Sequence, residues 1–167
     1  MTFQVTSMNQ EESDAWLGLI TVCQVLPAVL DSQLQQDSQM THFEYLVLSA
    51  LRFSPDRTMR MTELATDTSS TLPRLSHVCS RLEKRGLVER FTCTEDRRAT
   101  NVRLTRDGNR QLAAASPGHL KLVRQLVVDA LTPEQLASLT EVTSVIRDRL
   151  ADTSSRAAQA VKGIQAS

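Results

Sequence analysis

Residues 81–90, RLEKRGLVER, join a predicted helix to a predicted strand and decide how this 167-residue chain folds. Gly86 ends the helix, because glycine adopts without penalty the left-handed conformation that follows many helix C-termini. The stretches 87–93 and 99–104 have the Val, Phe and Thr content of strands. Only the short charged segment 94–98 separates them, so the sequence predicts a hairpin directly after the helix.

The segment before this junction predicts two short helices. The first is expected over 62–67, and the second from Thr71, a good N-cap residue, to Arg85. Pro73 stands in the first turn of the second helix, where its missing N–H costs little. The polar residues 68–70 form the turn between them. Two short helices around a brief turn outline a helix-turn-helix, and the hairpin that follows is a wing.

Longer helices are predicted on the N-terminal side. Apolar residues recur every three or four positions over 13–35, and Pro27 within this stretch predicts a kink or an early end. Thr41 and Glu44 have the spacing of a capping box, which opens a helix that runs to Arg52. The side chains expected on its inward face are Phe43, Leu46, Val47, Ala50 and Leu51.

Two further helices are predicted after the wing. The first begins at Thr105 and is expected to be interrupted at 116–118, Ser-Pro-Gly. A second capping box, Thr132 with Gln135, opens the last helix, and the tail 152–167 is expected to fray. The apolar residues expected on the inward face of the last helix are Leu136, Leu139, Val142, Ile146 and Leu150.

The charges of the chain are unevenly distributed, although 19 basic and 19 acidic residues cancel. Residues 1–56 hold one basic residue against seven acidic ones, a net charge of −6. Residues 57–110 hold twelve against seven, or +5, and residues 111–167 hold six against five, or +1. A basic middle third indicates a surface that meets phosphates, although an arginine-rich solvated helix face would give the same count.

Several classes of protein are excluded by what the sequence lacks. Cys23, Cys79 and Cys93 form an odd set without a C-x-x-C pair, which argues against a disulfide framework and a structural zinc site. No nucleophile-elbow, phosphate-loop or H-E-x-x-H motif is present, so we expect no enzyme activity, no cofactor and no metal. No apolar run of about 18–20 residues is apparent, and the N-terminus lacks the basic region of a signal peptide. A cytoplasmic protein without a membrane span is expected.

Four motifs in one order carry a resemblance to a known family. They are Glu63-Leu64-Ala65, the stretch 81–90, Asp96-Arg97-Arg98-Ala99, and Val102-x-Leu104-Thr105-x-x-Gly108. Together they resemble the MarR (multiple antibiotic resistance regulator) family of winged helix-turn-helix transcription regulators, over about residues 11–150. The chain departs from the family pattern in two places. Residues 68–70 are Thr, Ser and Ser, where the family more often has apolar residues around a glycine. Pro117-Gly118 predicts a bend that many relatives lack.

The resemblance implies a mainly α-helical fold with a small β-hairpin wing and dimerisation helices at both ends. The expected parts of this one integrated fold are an N-terminal dimerisation helix (1–35), the winged helix-turn-helix (36–110), and C-terminal dimerisation helices with a tail (111–167). The implied function is that of a homodimeric repressor, relieved by a ligand or an oxidant, whose subunits pair through 11–35 and 119–150. Two-fold symmetry then predicts a pseudo-palindromic operator on double-stranded DNA. The alternative is a winged-helix protein interaction module that binds no DNA.

The second helix of the predicted helix-turn-helix is expected to read DNA. With Leu75, Val78, Cys79 and Leu82 inward, its outward residues are Arg74, His77, Arg81 and Lys84. Arg74 is the first choice for guanine in the major groove, whereas Arg81 either binds DNA or pairs with acids of its own domain. The hydroxyls of Ser70 and Thr71 suit phosphate contacts at the helix start.

The wing tip is the second expected DNA contact. Arg97 and Arg98 place two positive charges on a narrow hairpin that fits a minor groove. The resemblance implies that Arg98 enters the groove and that Asp96 orients the tip through a salt bridge to a neighbouring arginine. The alternative interpretation of Asp96 is an exposed turn residue.

The expected switch is a small aromatic or phenolic effector or an oxidant. Trp16, His42, Tyr45 and Arg124 are candidates for lining an effector crevice, although Trp16 and Tyr45 also suit a simple core. Cys23 and Cys93 are the redox candidates. The apolar neighbours of Cys23 are expected to raise the pKa of its thiol and lower its reactivity. Cys79 is expected to fill space in the core.

Overall fold

The computed structural model describes residues 7–92, 96 and 99–165, with side chains as far as 153. Within this part the chain is mainly helical with a small sheet, as predicted. The helices are α1 (Gln10–Ser38), α2 (His42–Phe53), α3 (Met61–Asp67), α4 (Leu72–Lys84), α5 (Arg106–Val123) and α6 (Pro133–Gln165); the strands are β1 (Thr58–Arg60), β2 (Val88–Thr92) and β3 (Thr100–Leu104).

The predicted wing hairpin is present and gains a third strand. β2 pairs with β3 in antiparallel register, with Val88 opposite Leu104 and Phe91 opposite Asn101. β1, which precedes the helix-turn-helix in the chain, pairs with the other edge of β3, so the strand order is β1-β3-β2. The sheet therefore ties the start of α3 to the wing.

One buried apolar cluster joins α2, α3, α4, α5 and the sheet. Four inward residues predicted for α4 are at most 6% exposed, which confirms the predicted orientation of that helix. The prediction for α2 is wrong at Leu46, which is 39% exposed, whereas Tyr45 and Leu48 are buried. The buried stripe of α2 follows positions 44, 47, 48 and 51, and Leu46 lies beside it.

Two glycines hold the junction between α4, the wing and α5. Gly86 has a φ of +71°, in the left-handed region. Gly108 has no room for a side chain, because a Cβ there would overlap the carbonyl oxygen of Leu87 and lie 2.8 Å from Leu104 Cδ1. The Thr105 hydroxyl donates to the Gly86 carbonyl at 2.7 Å and accepts from the Gly108 N–H at 3.0 Å. These contacts explain the Leu-Thr-x-x-Gly spacing in physical terms.

Two helices continue through the prolines that were expected to interrupt them. α1 passes Pro27 and ends only at Ser38, where Gln39 adopts a left-handed C-cap conformation. α5 passes 116–118 and is followed by a π-helical turn at 124–128. A proline removes one backbone hydrogen bond, and long helices tolerate that loss where packing holds them. Gly118 packs closely on α1, where a Cβ would lie 3.3 Å from Gln33 Nε2.

The chain divides into two compact units, residues 1–122 and 123–167. The second unit contains α6, which begins at the predicted capping box: Gln135 Oε1 accepts from the Thr132 N–H at 2.9 Å. The helix extends to Gln165, and the expectation that its tail frays stays a prediction. Predicted inward residues of α6 are exposed in the single chain, including Leu139, Val142 and Leu150 at 41%, 55% and 62%.

α1 is longer and more apolar than predicted, so the prediction that the chain has no apolar run of about 18–20 residues is wrong. Its length and composition would allow it to cross a membrane, and it is the one helix of the described residues for which this holds. A single helix of this kind is weak evidence for a membrane span, since apolar helices of other proteins meet the same criteria. Val22, Val25 and Val29 on this helix are 55%, 54% and 38% exposed.

Candidate nucleic-acid interface

α4 separates a buried apolar face from an exposed polar one. Arg74 and His77 lie on the exposed face, and neither side chain forms a hydrogen bond or ion pair with any described residue. The guanidinium of Arg74 lies 4.3 Å from the ring centroid of Phe43, the second residue of α2. A crevice of about 500 Å³ runs beside these side chains, lined by Asp31, Thr41, Phe43, Arg74, His77, Val78 and Arg81.

Arg81 is held by its own domain. Its Nη2 lies 2.9 Å from Oε1 of Glu44, and Nη1 of Arg85 lies 3.3 Å from Oε2 of the same carboxylate. Glu44 is 3% exposed and also closes the capping box of α2 by accepting from the Thr41 N–H at 2.9 Å. This arrangement confirms the second of the two roles that the sequence left open for Arg81. Glu44 thus clamps α4 to α2.

The start of α4 has the predicted N-cap residue but lacks the bond that such a residue usually makes. Thr71 has extended backbone angles and caps α4 without a hydrogen bond from its side chain. Thr71 is exposed, and Ser70 is half-buried, with its hydroxyl donating to the Thr71 carbonyl at 3.4 Å. The hydroxyl of Thr71 is therefore not used in closing the helix.

Ion pairs stiffen the wing and attach it to α4. Arg90 of β2 donates from Nε and Nη2 to Glu83 at 2.9 and 2.7 Å, and its main-chain N–H donates to the same carboxylate at 3.1 Å. The hydrogen bond from the Arg90 side chain holds the pKa of Glu83 below its usual value. Arg103 of β3 pairs with Glu89 at 3.1 Å and lies over the Phe91 ring at 4.6 Å. These arginines thus serve the wing's own structure.

The wing tip is described only in part. Asp96 is exposed, and its carbonyl accepts a hydrogen bond from the Ala99 N–H at 2.9 Å. Arg97 and Arg98, the predicted minor-groove residues, lie outside the described residues, as does Cys93. The predicted salt bridge of Asp96 to a neighbouring arginine stays a prediction.

Comparison with known proteins gives one consistent relationship. Residues 40–100 match the model of the MarR family. The crystal structure of Sco3205, a MarR family transcriptional regulator from Streptomyces coelicolor, in complex with DNA, is 41% identical with a TM-score of 0.84, over 88% of this chain and 92% of that one. The chain belongs to the MarR family.

Two further relatives agree with this assignment. AbsC, a MarR family transcriptional regulator from Streptomyces coelicolor, is 32% identical with a TM-score of 0.84, over 89% of this chain and 99% of that one. The HTH-type transcriptional regulator YfiV of Bacillus subtilis is 26% identical over 83% of this chain and 84% of its own length. Members of the MarR family are transcriptional regulators, so this chain is a DNA-binding transcriptional regulator and not an enzyme, as predicted.

The structure of this MarR family chain brings together two of the four predicted effector residues. His42 and Tyr45 of α2 both contact His119 of α5, with ring centroids 5.6 and 4.3 Å apart. Trp16 lies on the exposed part of α1, with 45% of its surface accessible. Arg124 belongs to the second unit, where it pairs with Asp129 at 2.5 Å.

His119 is the residue that the sequence analysis missed at this site. It is 5% exposed, and its Nδ1 atom has no hydrogen-bond partner among the described residues. Burial and the neighbouring His42 lower the pKa of His119; burial lowers that of His42, while Asp31 acts to raise it. Spacing was the available signal, because position 119 continues the buried stripe 108, 112 and 115 of α5.

Beside this pair, a crevice of about 380 Å³ lies between α2 and α5. Tyr45 and Ser116 both line the crevice, and the Tyr45 hydroxyl donates to Ser116 Oγ at 3.2 Å. Leu112 and Leu120 are apolar lining residues, and Arg52 lines the crevice as well. The crevice therefore combines an apolar lining with hydroxyl and cationic groups.

The described cysteines differ in exposure. Cys79 is fully buried in the core, where desolvation raises the pKa of its thiol to about 11, as expected of a residue that fills space. Cys23 is exposed on α1 rather than covered by apolar neighbours. Among the two redox candidates, only Cys23 therefore has a described environment, and that environment leaves it accessible.

Proposed function

We propose that this MarR family regulator is a homodimeric, sequence-specific repressor that binds double-stranded DNA. The observation that carries the proposal is the exposed face of α4, where Arg74 and His77 remain unbonded within the described chain. Guanidinium groups that make no internal ion pair are suited to bidentate contacts with guanine O6 and N7. In this proposal α4 enters a major groove, with Ser70 and Thr71 against phosphates.

The wing supplies the second contact in this proposal. Arg97 and Arg98 enter the neighbouring minor groove, and Asp96 orients the tip. The ion pairs of Arg90 with Glu83 and of Arg103 with Glu89 support this division of roles. Because acidic residues neutralise these strand arginines, the arginines of the tip are the ones proposed to contact DNA. Each protomer then contacts one half-site, with α4 in the major groove and the wing tip in the neighbouring minor groove.

Two protomers pair through the helices at both ends of the chain, 11–35 and 119–150. The apolar faces of α1 and α6 support this pairing, since Val25 and Val145 are 54% and 59% exposed in the single chain. Exposed apolar stripes of this length are costly in water and are typical of interfaces. Two-fold symmetry places the half-sites of a pseudo-palindromic operator about one helical turn apart.

DNA binding is tested with a duplex that the wild-type protein selects from a randomised library. Arg74→Ala and Arg98→Ala are each expected to weaken binding roughly tenfold or more, and affinity should fall steeply with salt as counterions are released. Arg110→Ala is the control for loss of one exposed cation, because Arg110 lies on α5 outside α4, the wing and both proposed dimerisation segments. Full affinity in both arginine variants would contradict the contacts. Failure to select any duplex, together with a stable complex with another protein, would instead indicate an interaction module.

The crevice between α2 and α5 supports release by a small aromatic or phenolic effector. In this proposal Tyr45, with His42 close by, provides the polar anchor. Trp16 and Arg124, the other two predicted effector residues, are not among the residues that line this crevice. Release by an oxidant would act through Cys23 or Cys93. Salicylate and hydrogen peroxide are the probes, titrated against preformed complex in wild type, in Tyr45→Phe and in a Cys23→Ser/Cys93→Ser variant. Peroxide release that persists without both thiols would exclude the cysteines.

A cytoplasmic location is part of the proposal, because the operator must be accessible. The apolar surface of α1 is then covered by a second protomer and not by lipid. Fractionation of cells that express the tagged chain tests this point: the protein should appear in the soluble fraction, bound to DNA.

A further inference from the structure

The two arginines of α4 stand in opposite situations. Arg81 is bonded to the buried Glu44, while the guanidinium of Arg74 forms no hydrogen bond or ion pair within the described chain. Arg74 is nevertheless not loose, because its guanidinium carbon lies 4.3 Å from the centre of the Phe43 ring. The ring of Phe43 therefore contacts Arg74, whereas the carboxylate of Glu44 contacts Arg81.

A stack of this kind uses only the face of the guanidinium. The five N–H donors lie in the plane of the group and point outward at its edge, so they stay available for a bidentate contact. The electrostatic attraction to the ring also limits the conformations of a long side chain before DNA arrives. Binding then costs less ordering of that side chain than it would for an unrestrained arginine.

Phe43 is itself firmly placed. It is half-buried and packs against the main apolar cluster of the domain. It also stands between Thr41 and Glu44, whose reciprocal hydrogen bonds close the first turn of α2 at 3.1 and 2.9 Å. Because the core and the capped first turn of α2 both hold Phe43, its ring has a fixed position.

We propose that Phe43 is a positioning residue for DNA reading, which holds the Arg74 guanidinium in place with its donors free for a base edge. The proposal rests on the proposed function, in which Arg74 contacts a base. The proposal means that sequence specificity in the major groove depends on a residue of α2 as well as on the residues of α4. Phe43 itself touches no base.

The test compares two phenylalanines of the same helix. Phe43→Leu keeps apolar bulk and removes the aromatic face, and Phe53→Leu is the matched control, because Phe53 is 85% exposed and stacks on no described cation. On the duplex selected by the wild-type protein, Phe43→Leu is expected to raise Kd about three- to tenfold. Phe43→Trp, which retains a π face, should restore affinity, and Phe53→Leu should not change it.

A double-mutant cycle separates positioning from general damage to the fold. In the Arg74→Ala background, Phe43→Leu should have no further effect on Kd, because the group it positions is gone. Base discrimination should also decline at one position of each half-site in Phe43→Leu, while the salt dependence of binding stays unchanged since no charge is lost. Thermal denaturation of each variant reports its folding independently of DNA.

The possible failures are distinguishable. Unchanged affinity in Arg74→Ala would overturn the role of Arg74 and with it the proposed reading mode. A loss in Arg74→Ala with none in Phe43→Leu would overturn only the positioning role. An additive cycle would show that Phe43 acts through the fold, and tighter binding by Phe43→Leu would show that the stack withholds Arg74 from DNA; either result overturns the proposal.

Discussion

α4 and α1 both carry apolar stripes at helical spacing, yet the chain treats them differently. The stripe of α4 is at most 6% exposed, whereas Val22, Val25 and Val29 of α1 are 38% to 55% exposed. The apolar face of α4 is therefore buried within the chain, whereas that of α1 remains exposed in the single chain. Periodicity predicts that a face will be covered, but not whether the cover is the same chain or a second one.

The strongest test of this contrast removes a covered side chain from α4. Leu75 is completely buried, and Leu75→Ala is expected to lower the free energy of unfolding by about 2–5 kcal/mol, from lost burial and the cavity it leaves. Leu72→Ala on the same helix is the control, since Leu72 is 45% exposed and should change stability by only about 0.5 kcal/mol. Urea denaturation measures both. Equal losses would mean that α4 is not oriented as described.

The matching test on α1 should spare the fold and affect assembly. Val25→Lys places a charge on the open face, and we expect the dimer Kd to rise at least about tenfold, or 1.4 kcal/mol. Gln24→Lys adds the same charge off that face and should leave assembly unchanged. Sedimentation equilibrium measures the effect. Normal dimers in Val25→Lys would exclude this part of α1 from the interface.

A smaller effect is expected from the His42–His119 contact, which covers part of the junction between α2 and α5. Burial keeps the pKa of both groups below the usual 6.5, so the unfolded chain binds protons more readily than the folded one. The free energy of unfolding should therefore fall as pH drops below about 6.5. The double variant His42→Gln/His119→Gln should show a flatter pH dependence, measured by denaturation between pH 7 and 5. An equal flattening in His77→Gln would contradict the assignment.

The smallest effect concerns the turn before α4. Ser69 has a φ of +48°, a left-handed conformation that is costly for a residue with a Cβ. Ser69→Gly should relieve this cost, offset in part by the greater freedom of glycine in the unfolded chain, for a net gain of about 0.5 kcal/mol in stability. Ser70→Gly is the control and should destabilise, because Ser70 is not in that region. Thermal denaturation of the two variants decides between them.

Local signals in the sequence predicted a large part of the fold. The capping boxes at Thr41 and Thr132, the helix stop at Gly86 and the inward face of α4 depend on neighbours within a few residues, and each is present. The turn at 68–70, which departs from the family pattern, places Ser69 at a positive φ where glycine is the residue best suited.

Features that depend on distant residues were not predictable in the same way. Pro117 was expected to interrupt its helix, but α5 continues, with Gly118 seated against α1. The stack of Arg74 on Phe43 and the contact of His119 with His42 join positions about 30 and 77 apart, so no short pattern encodes them. The sequence predicted Arg74 as a base contact, which stays a prediction, and it gave no indication of the stack on Phe43.

Residues 41–44, the N-cap and first turn of α2, have contacts in three directions. The His42 N–H donates to Asp31 of α1 at 2.8 Å, and the His42 ring contacts His119 of α5. Phe43 and Glu44 contact Arg74 and Arg81 of α4. On the proposed function, a substitution in this one turn is therefore expected to be pleiotropic, altering operator affinity, subunit pairing and effector response together. A change that alters one of these proposed properties would then also alter the other two.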